Sequence, residues 1–332
     1  METYIFVFLS KLSIRWIKDV TSHLERLAPS AYQESYDNSG LITGNPEWPV
    51  QGVLVTLDCI EMVVEEAIQQ NCNLIVAHHP IVFKGLKKLT GKNYVERTII
   101  KAIKHDIAIY AIHTNLDNVH HGVNRRIAEK IGLSDLKILA PKANTLKKLV
   151  TFIPNDAVQT VMDALHAAGA GNIGNYKNCS FSTKGTGTFQ PTASANPKIG
   201  EAGKLEQVEE VRVELIFPSV LENNIISALK TSHPYEEVAF YLTPLDNDNQ
   251  EVGSGMIGRL KTPIEPKAFL ERLKSQMSTQ CVRHTALLNK PIQKVAICGG
   301  AGSFLLQSAK AQGADVFVSA DFKYHEFFDA EG

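Results

Sequence analysis

Apolar and polar positions change period repeatedly along the chain. Between Ile17 and Leu133, the segments "IKDVTSHLERL", "EMVVEEAIQQ", "NYVERTIIKAIKHD" and "VNRRIAEKIGL" repeat apolar residues every three or four positions and predict helices. Between them, "GVLVTLD", "NLIVA" and "IAIYAIH" are short β-branched runs that predict strands. Strands that are apolar throughout and alternate with helices predict a mainly parallel, buried sheet of the α/β class. The same grammar resumes after Pro291, with "IQKVAICGG" as strand, "SFLLQSAKAQG" as helix and "ADVFVSA" as strand, so the α/β sheet is expected to draw on both ends of the chain.

The middle of the chain follows a different order. "KKLVTFIP" (strand), "NDAVQTVMDALHAAG" (helix), "NCSFST" with "GTGTFQP" (strands or a hairpin), "VEEVRVELIFP" (strand), "SVLENNIISALKTS" (helix) and "EEVAFYLTPL" (strand) spell βαββαβ. That is the ferredoxin-like α+β arrangement. The expected organisation is a first half of the α/β domain over residues 15–144, an inserted ferredoxin-like domain over 145–248 and a second half over 249–332. "TASANPKIGEAGKLEQ" is too rich in Gly, Pro and small residues for regular structure, and "PLDNDNQEVGSG" reads as the exit linker.

Composition narrows the class. The chain has 332 residues, 44% hydrophobic and 21% charged, enough to bury a large core. A formal charge of -1 without a long run of one sign gives no pull toward nucleic acid or an anionic membrane surface, so neither is expected as a partner. The five cysteines, Cys59, Cys72, Cys179, Cys281 and Cys298, are scattered and form no CxxC pair, which argues against a disulfide framework or thiolate zinc site and for reduced thiols in a cytoplasm. The opening "METYIFVFLSKLSIRW" has a short apolar core behind an acidic residue, unlike a signal peptide, and reads as an N-terminal extension. No stretch approaches the ~20 apolar residues of a membrane span.

Candidate chemistry gathers at the strand ends. "VLVTLD" ends in Asp58, "LIVAHH" in His78 and His79, "IAIYAIHTNLD" runs into His113 and Asp117, "VAICGG" ends in Gly299 and Gly300, and "VFVSAD" ends in Asp321 with His325 close behind. Ligands of open α/β sheets bind beyond the carboxyl ends of the strands, where all of these fall. Successive strand residues face opposite ways, but at a strand end turning into Pro80 both imidazoles can serve a two-ion centre. Neutral imidazole suits Zn, Fe, Ni, Co and Mn, and a carboxylate such as Asp117 can bridge two ions.

The segments "YDNSGLITG", "LIVAHHPIVFKGLKKL", "YAIHTNLDNVHHGVN" and "VAICGGAGSFL" together resemble the Nif-three-like dinuclear-metal-centre family, often labelled GTP cyclohydrolase I type 2 homologue. The resemblance runs from about residue 15 to the end, and "GTGTFQP", "ANPKIG" and "HPYEEVAFYL" resemble the CutA-like insert of its longer bacterial members. It implies two divalent ions per subunit (Zn, Fe, Mn, Ni or Co), with His78, His79 and Asp117 among their ligands. The family takes a further His and Glu, spaced HxxxE, from beyond a segment like "ADFKYHEFFDAEG"; the sequence given stops at Gly332, which is read either as a truncation or as an incomplete site, and a chain that truly ended there is expected to hold fewer than two ions tightly until such a tail is restored. A homo-oligomer, a hexamer built from trimers, is implied as well.

Other residues carry weaker expectations. The "GGAGS" turn with Gly299, Gly300 and Gly302 is a candidate phosphate or cofactor cradle. Asp58, His113 and His325 are the candidate catalytic residues; these and Asp329 are equally read as groups that orient the ligand imidazoles or shuttle a proton, or as satisfied polar groups. "HPYEE" offers His233 and Glu237 at HxxxE spacing, but stands alone in the insert and is not expected to complete the centre. His120, His121 and His284 read as surface residues. The leading functional expectation is a metal-dependent hydrolase acting on a nucleotide or phosphorylated small molecule; the alternative is a non-catalytic metal-binding or regulatory oligomer. The substrate itself is not readable.

Overall fold

The computed structural model describes residues 15–331. The opening segment read as an N-terminal extension lies, but for Arg15 and Trp16, outside the described residues. The chain divides into two compact units, one formed by residues up to Ala140 together with those from Glu251 onward, the other by Pro141–Gln250.

The first unit contains two four-stranded sheets. One is ordered β1-β4-β3-β2, from β1 (Gly40–Thr43), β2 (Val53–Asp58), β3 (Leu74–His79) and β4 (Ala108–Ala111). β2, β3 and β4 run parallel, while β1 pairs antiparallel with β4. Leu74 to Ala77 are all buried, as expected of a central parallel strand whose run is apolar throughout. Leu54, Ile75, Ala77 and Ile109 meet Val63, Val64 and Ala67 of helix α2 (Glu61–Gln69) and Ile99 and Ala102 of α3 (Tyr94–Lys104), which follow α1 (Ile17–Leu27) in the chain. Each fully buried Val, Leu or Ile among them contributes about 1.5–3 kcal/mol. The strand ends carrying the candidate ligands are thus anchored in a packed layer.

After β4 come the short helix α4 (Thr114–Asn118) and α5 (Val123–Ile131). The other sheet of this unit is ordered β12-β11-β10-β5, from β5 (Leu133–Pro141), β10 (Gly253–Ile264), β11 (Ile292–Ala301) and β12 (Val316–Ala320). The parallel pair expected after Pro291 is present as β11 and β12. It is joined to β10, antiparallel to β11, and to β5, neither of which the apolar pattern marks as a strand. The α/β fold is therefore mixed, with parallel cores and antiparallel additions in two separate sheets.

The second unit runs β6 (Leu146–Pro154), α6 (Val158–Ala167), β7 (Phe181–Phe189), β8 (Glu206–Pro218), α7 (Glu222–Ser232) and β9 (Phe240–Leu245). Its strand order β7-β8-β6-β9 with antiparallel pairing is the ferredoxin-like βαββαβ sheet. "NCSFST" and "GTGTFQP" contribute to one strand, β7, rather than two. Among the described residues, no helix is long and apolar enough to cross a membrane, and all five cysteines are free.

Candidate metal centre

The register of two parallel strands builds the first element of the site. β2 and β3 pair with Asp58 directly opposite His79. Neighbours in that register reach each other, and His79 Nδ1 meets Asp58 Oδ1 at 2.8 Å. β3 ends at His79 with Pro80 next, so the two histidines, which a continuing strand would send to opposite faces, keep their rings 4.9 Å apart.

His113 comes from the next strand end, where it precedes the first turn of α4. Its ring centroid lies 5.2 Å from that of His78 and 5.4 Å from that of His79. A ligand atom from each of the three histidines falls within 4.8 Å of the others. Asp117, one turn further along α4, brings Oδ1 to 3.9 Å from His78 Nε2. That gap is too long for a hydrogen bond, yet within reach of two donors that each sit about 2.0–2.2 Å from a shared ion.

The hydrogen bonds fix which nitrogen of each ring is available. His78 Nδ1 lies 2.9 Å from Ile112 O, His79 Nδ1 contacts Asp58 and His113 Nδ1 lies 2.8 Å from Asp37 Oδ1. A carbonyl and a carboxylate only accept, so each Nδ1 carries the proton and each Nε2 lone pair is left for a cation. Histidines oriented through the far nitrogen by an oxygen partner are the usual arrangement at metal sites. The residues fit a divalent cation.

The electrostatics agree. Burial pushes His78 down to about 4, with His113 and His79 adding to the effect against the hydrogen bond to Ile112, so its ring is neutral at physiological pH. Burial pushes Asp117 up to about 6, reinforced by Asp37 and opposed by His113 and His79. A partly buried carboxyl that resists ionisation is one that a cation beside it would stabilise in the charged form. For Asp37, burial alone would raise the value, but hydrogen bonds from His113, Thr114 and Asn38 outweigh it and hold the carboxyl well below the usual range.

Three supporting residues were not singled out by the sequence. Asp37 sits in the loop before β1, its side chain shielded from solvent, and receives Asn38 N on Oδ1 at 2.7 Å and Thr114 N on Oδ2 at 3.0 Å, with the Thr114 hydroxyl on Oδ2 as well. Asn124 donates to Asp117 O at 2.9 Å and accepts from Gly299 N at 2.7 Å, tying the Asp117 backbone to the end of β11. The only trace of Asp37 and Thr114 in the sequence is that they fall in the quoted "YDNSG" and "HTNLD" segments.

Of the expected residues, the structure brings together His78, His79, His113, Asp117 and Asp58. His113 lies with the ligand imidazoles, and Asp58 orients His79. At the glycine turn, two of the backbone N–H groups expected to cradle a phosphate have partners within the fold. Gly299 N is taken by Asn124 and Gly302 N by Ser319 Oγ at 2.9 Å, and Ser319 in turn donates to Gly300 O. The helix that follows (Leu306–Ala311) is six residues long. His325 stands apart from the histidine group, exposed on a turn beside Tyr324 and Phe328. His233 is buried, with Nε2 3.0 Å from Phe152 O and Nδ1 accepting from Tyr235 N at 3.1 Å, so neither nitrogen is left for an ion.

Known proteins resemble this chain over most of its length. A sequence profile of the family described as Duf34/NIF3 (NGG1p interacting factor 3) matches residues 16–332. A Bacillus subtilis protein named GTP cyclohydrolase 1 type 2 homolog is 42% identical over 307 residues, spanning 92% of this chain and 82% of the relative. A Staphylococcus epidermidis protein of the same name is 37% identical over 315 residues, 95% of this chain and 86% of the relative. The crystal structure of a Bacillus cereus protein related to NIF3 superposes with a TM-score of 0.85 at 42% identity, covering 96% of this chain and 86% of that one.

Proposed function

The chain belongs to the Duf34/NIF3 family, and on that premise we propose that it holds a dinuclear divalent-metal centre and works as a hydrolase on a nucleotide or phosphorylated small molecule. One observation carries the reading: three imidazoles, each with Nδ1 engaged by an oxygen acceptor, converge with a partly buried carboxylate. His78, His79, His113 and Asp117 are the residues that would hold the ions. When bound, divalent ions there lower the pKa of water and polarise a substrate oxygen or carbon–nitrogen bond.

The chain's own groups then have defined tasks. Ile112 O, Asp58 and Asp37 keep the three imidazoles in one tautomer and orientation. Asn124 holds the Asp117 backbone in place from the β11 side. Phe83, whose ring lies 6.3 Å from that of His113 and 6.2 Å from that of Tyr36, forms with Tyr36 an exposed aromatic edge beside the cluster. The relatives' name supports a nucleotide among the substrates to try first. The test is to purify the chain, measure its metal content by elemental analysis and follow hydrolysis of GTP and of a simple phosphate ester with added Zn or Mn. Turnover that disappears in His78→Ala supports the proposal. Metal bound without turnover of either substrate would leave a binding protein, and a chain that binds no divalent ion would overturn the whole reading.

A further inference from the structure

We propose that the turn between α4 and α5, together with the residue that leads into β10, forms a second divalent-cation site from His120, His121 and Glu251. It shares no residue with the centre at the strand ends. The sequence marks both histidines as surface residues; the fold gives them a common partner.

The backbone holds the three donors in place. Gly122 N donates to Val119 O at 2.9 Å, closing a turn with His120 and His121 at its two central positions. Position 122 admits only glycine, since a Cβ there would come within 1.7 Å of Leu116 O. Val119 pairs with Val252 in an isolated antiparallel bridge, and His120 N donates to Glu251 O at 2.9 Å. The two strips carrying the donors are thus bonded backbone to backbone, and one ligand atom from each of the three side chains lies within 4.8 Å of the others. The imidazole planes stand at 88° with centroids 5.0 Å apart, so the rings do not stack face to face and block one another.

A neighbouring arginine does not occupy the site. Arg125 NH1 is 3.2 Å from His120 Nδ1 and 3.4 Å from His120 Nε2. The in-plane lone pairs of an imidazole diverge, and a point nearly equidistant from both nitrogens at that range can lie only over the face of the ring. The guanidinium therefore stacks on His120, leaving an in-plane nitrogen for an ion, and its charge is matched by Glu129 at 2.8 Å. Two imidazoles and one carboxylate, with His121 and Glu251 exposed to solvent, make the borderline-soft set that suits zinc.

Equilibrium dialysis of the full chain against buffered free zinc, with elemental analysis, tests this. The wild type should hold one zinc per chain more than the double variant His120→Ala/His121→Ala, and His78→Ala should keep that zinc. Glu251→Gln should bind it at least about tenfold more weakly, the loss that removal even of an outer partner brings at metal sites. Equal zinc content in the wild type and the double variant across the titration would overturn the proposal, as would loss of the same ion in His78→Ala. If the double variant does not fold, as judged by melting in chelator, Glu251→Gln decides alone: unchanged zinc affinity there overturns the site.

Discussion

Two histidine–carboxylate motifs invite the same reading, and the structure separates them. The histidines of "AHHP" end β3 and are read with Asp117 of "HTNLD" beyond the next strand, whereas "HPYEE" follows α7 in the inserted unit and sets Glu237 four residues after His233. At β3 the three rings of the cluster each engage an oxygen through Nδ1, and Nε2 is left over. At His233 both ring nitrogens are engaged, one by a carbonyl and one by an amide N–H, so the ring fastens the segment to β6 and has nothing to offer an ion. A histidine can serve as a ligand only when the fold spares one ring nitrogen, and an oxygen partner on the other orients the ring. Motif spacing does not report that; strand register and helix position do.

The comparison breaks first on metal content. His78→Ala and Asp117→Ala should each weaken the proposed centre by more than about a hundredfold, beyond the 10–100-fold typical of outer partners. His233→Ala should leave it full while lowering the stability of the inserted unit through the lost hydrogen bonds. Elemental analysis of the three variants after identical dialysis is sufficient. A His233→Ala chain emptied of metal beside a full His78→Ala chain would reverse the assignment.

The next effect concerns the groups behind the imidazoles. Asp37 accepts hydrogen bonds on both carboxylate oxygens: His113 and Asn38 on one, the Thr114 amide and hydroxyl on the other. An amide has only one accepting atom, so Asp37→Asn leaves Thr114 donors facing an NH₂ group and loosens His113. A fall in metal affinity of about 10–100-fold is expected. Asp58→Asn should cost less than about tenfold, because the Asp58–His79 pair is half exposed, its side chains 56% and 47% accessible, and exposed ion pairs contribute little. Zinc titration of both variants orders them; Asp58→Asn as the more damaging change would mean that His79, not His113, is the imidazole that must be held.

Legibility followed side-chain pattern and failed where backbone geometry decides. The apolar runs of β3 and β4 were readable, and so was the order of the inserted unit, whose helices and strands each keep their own period. β10 was not, because "GSGMIG" looks like a linker. Its glycines answer instead to close approach: at Gly255, with φ +66°, a Cβ would meet Ile297 O and a Leu305 methyl at 2.8 Å. β5 was hidden by a polar start, "LSDLK", with Asp135 at φ 51°. In the site, His78, His79 and Asp117 stood out by residue type. Asp37 did not, since an aspartate in a polar loop looks like any other until the fold carries it 76 residues along the chain to His113.

The smallest effect is one of pH, and it arises because two neighbours in the cluster oppose each other. His78 has a folded-state pKa of about 4 against an ordinary 6.5, so the unfolded chain takes up the proton first; its contribution to stability is present above pH 6.5 and lost as pH falls from there toward 4. Asp117 has a folded-state pKa of about 6 against 3.8, so the folded chain takes up the proton first; its contribution is present below pH 3.8 and lost as pH rises through 6. Both side chains are about four-fifths shielded, and each linkage amounts to about 3 kcal/mol at most. Between pH 4 and 6 the two slopes have opposite signs and largely cancel, so in chelator this pair should leave the wild type's melting temperature nearly flat over that window. Asp117→Asn does not titrate. It removes the compensating slope and should leave a chain that, relative to its own value at pH 7, loses several degrees more than the wild type on acidification to pH 4.5. Thermal melts of both proteins in chelator at the two pH values measure the difference; parallel acid losses would show that Asp117 is ionised in the metal-free fold like an ordinary surface carboxylate.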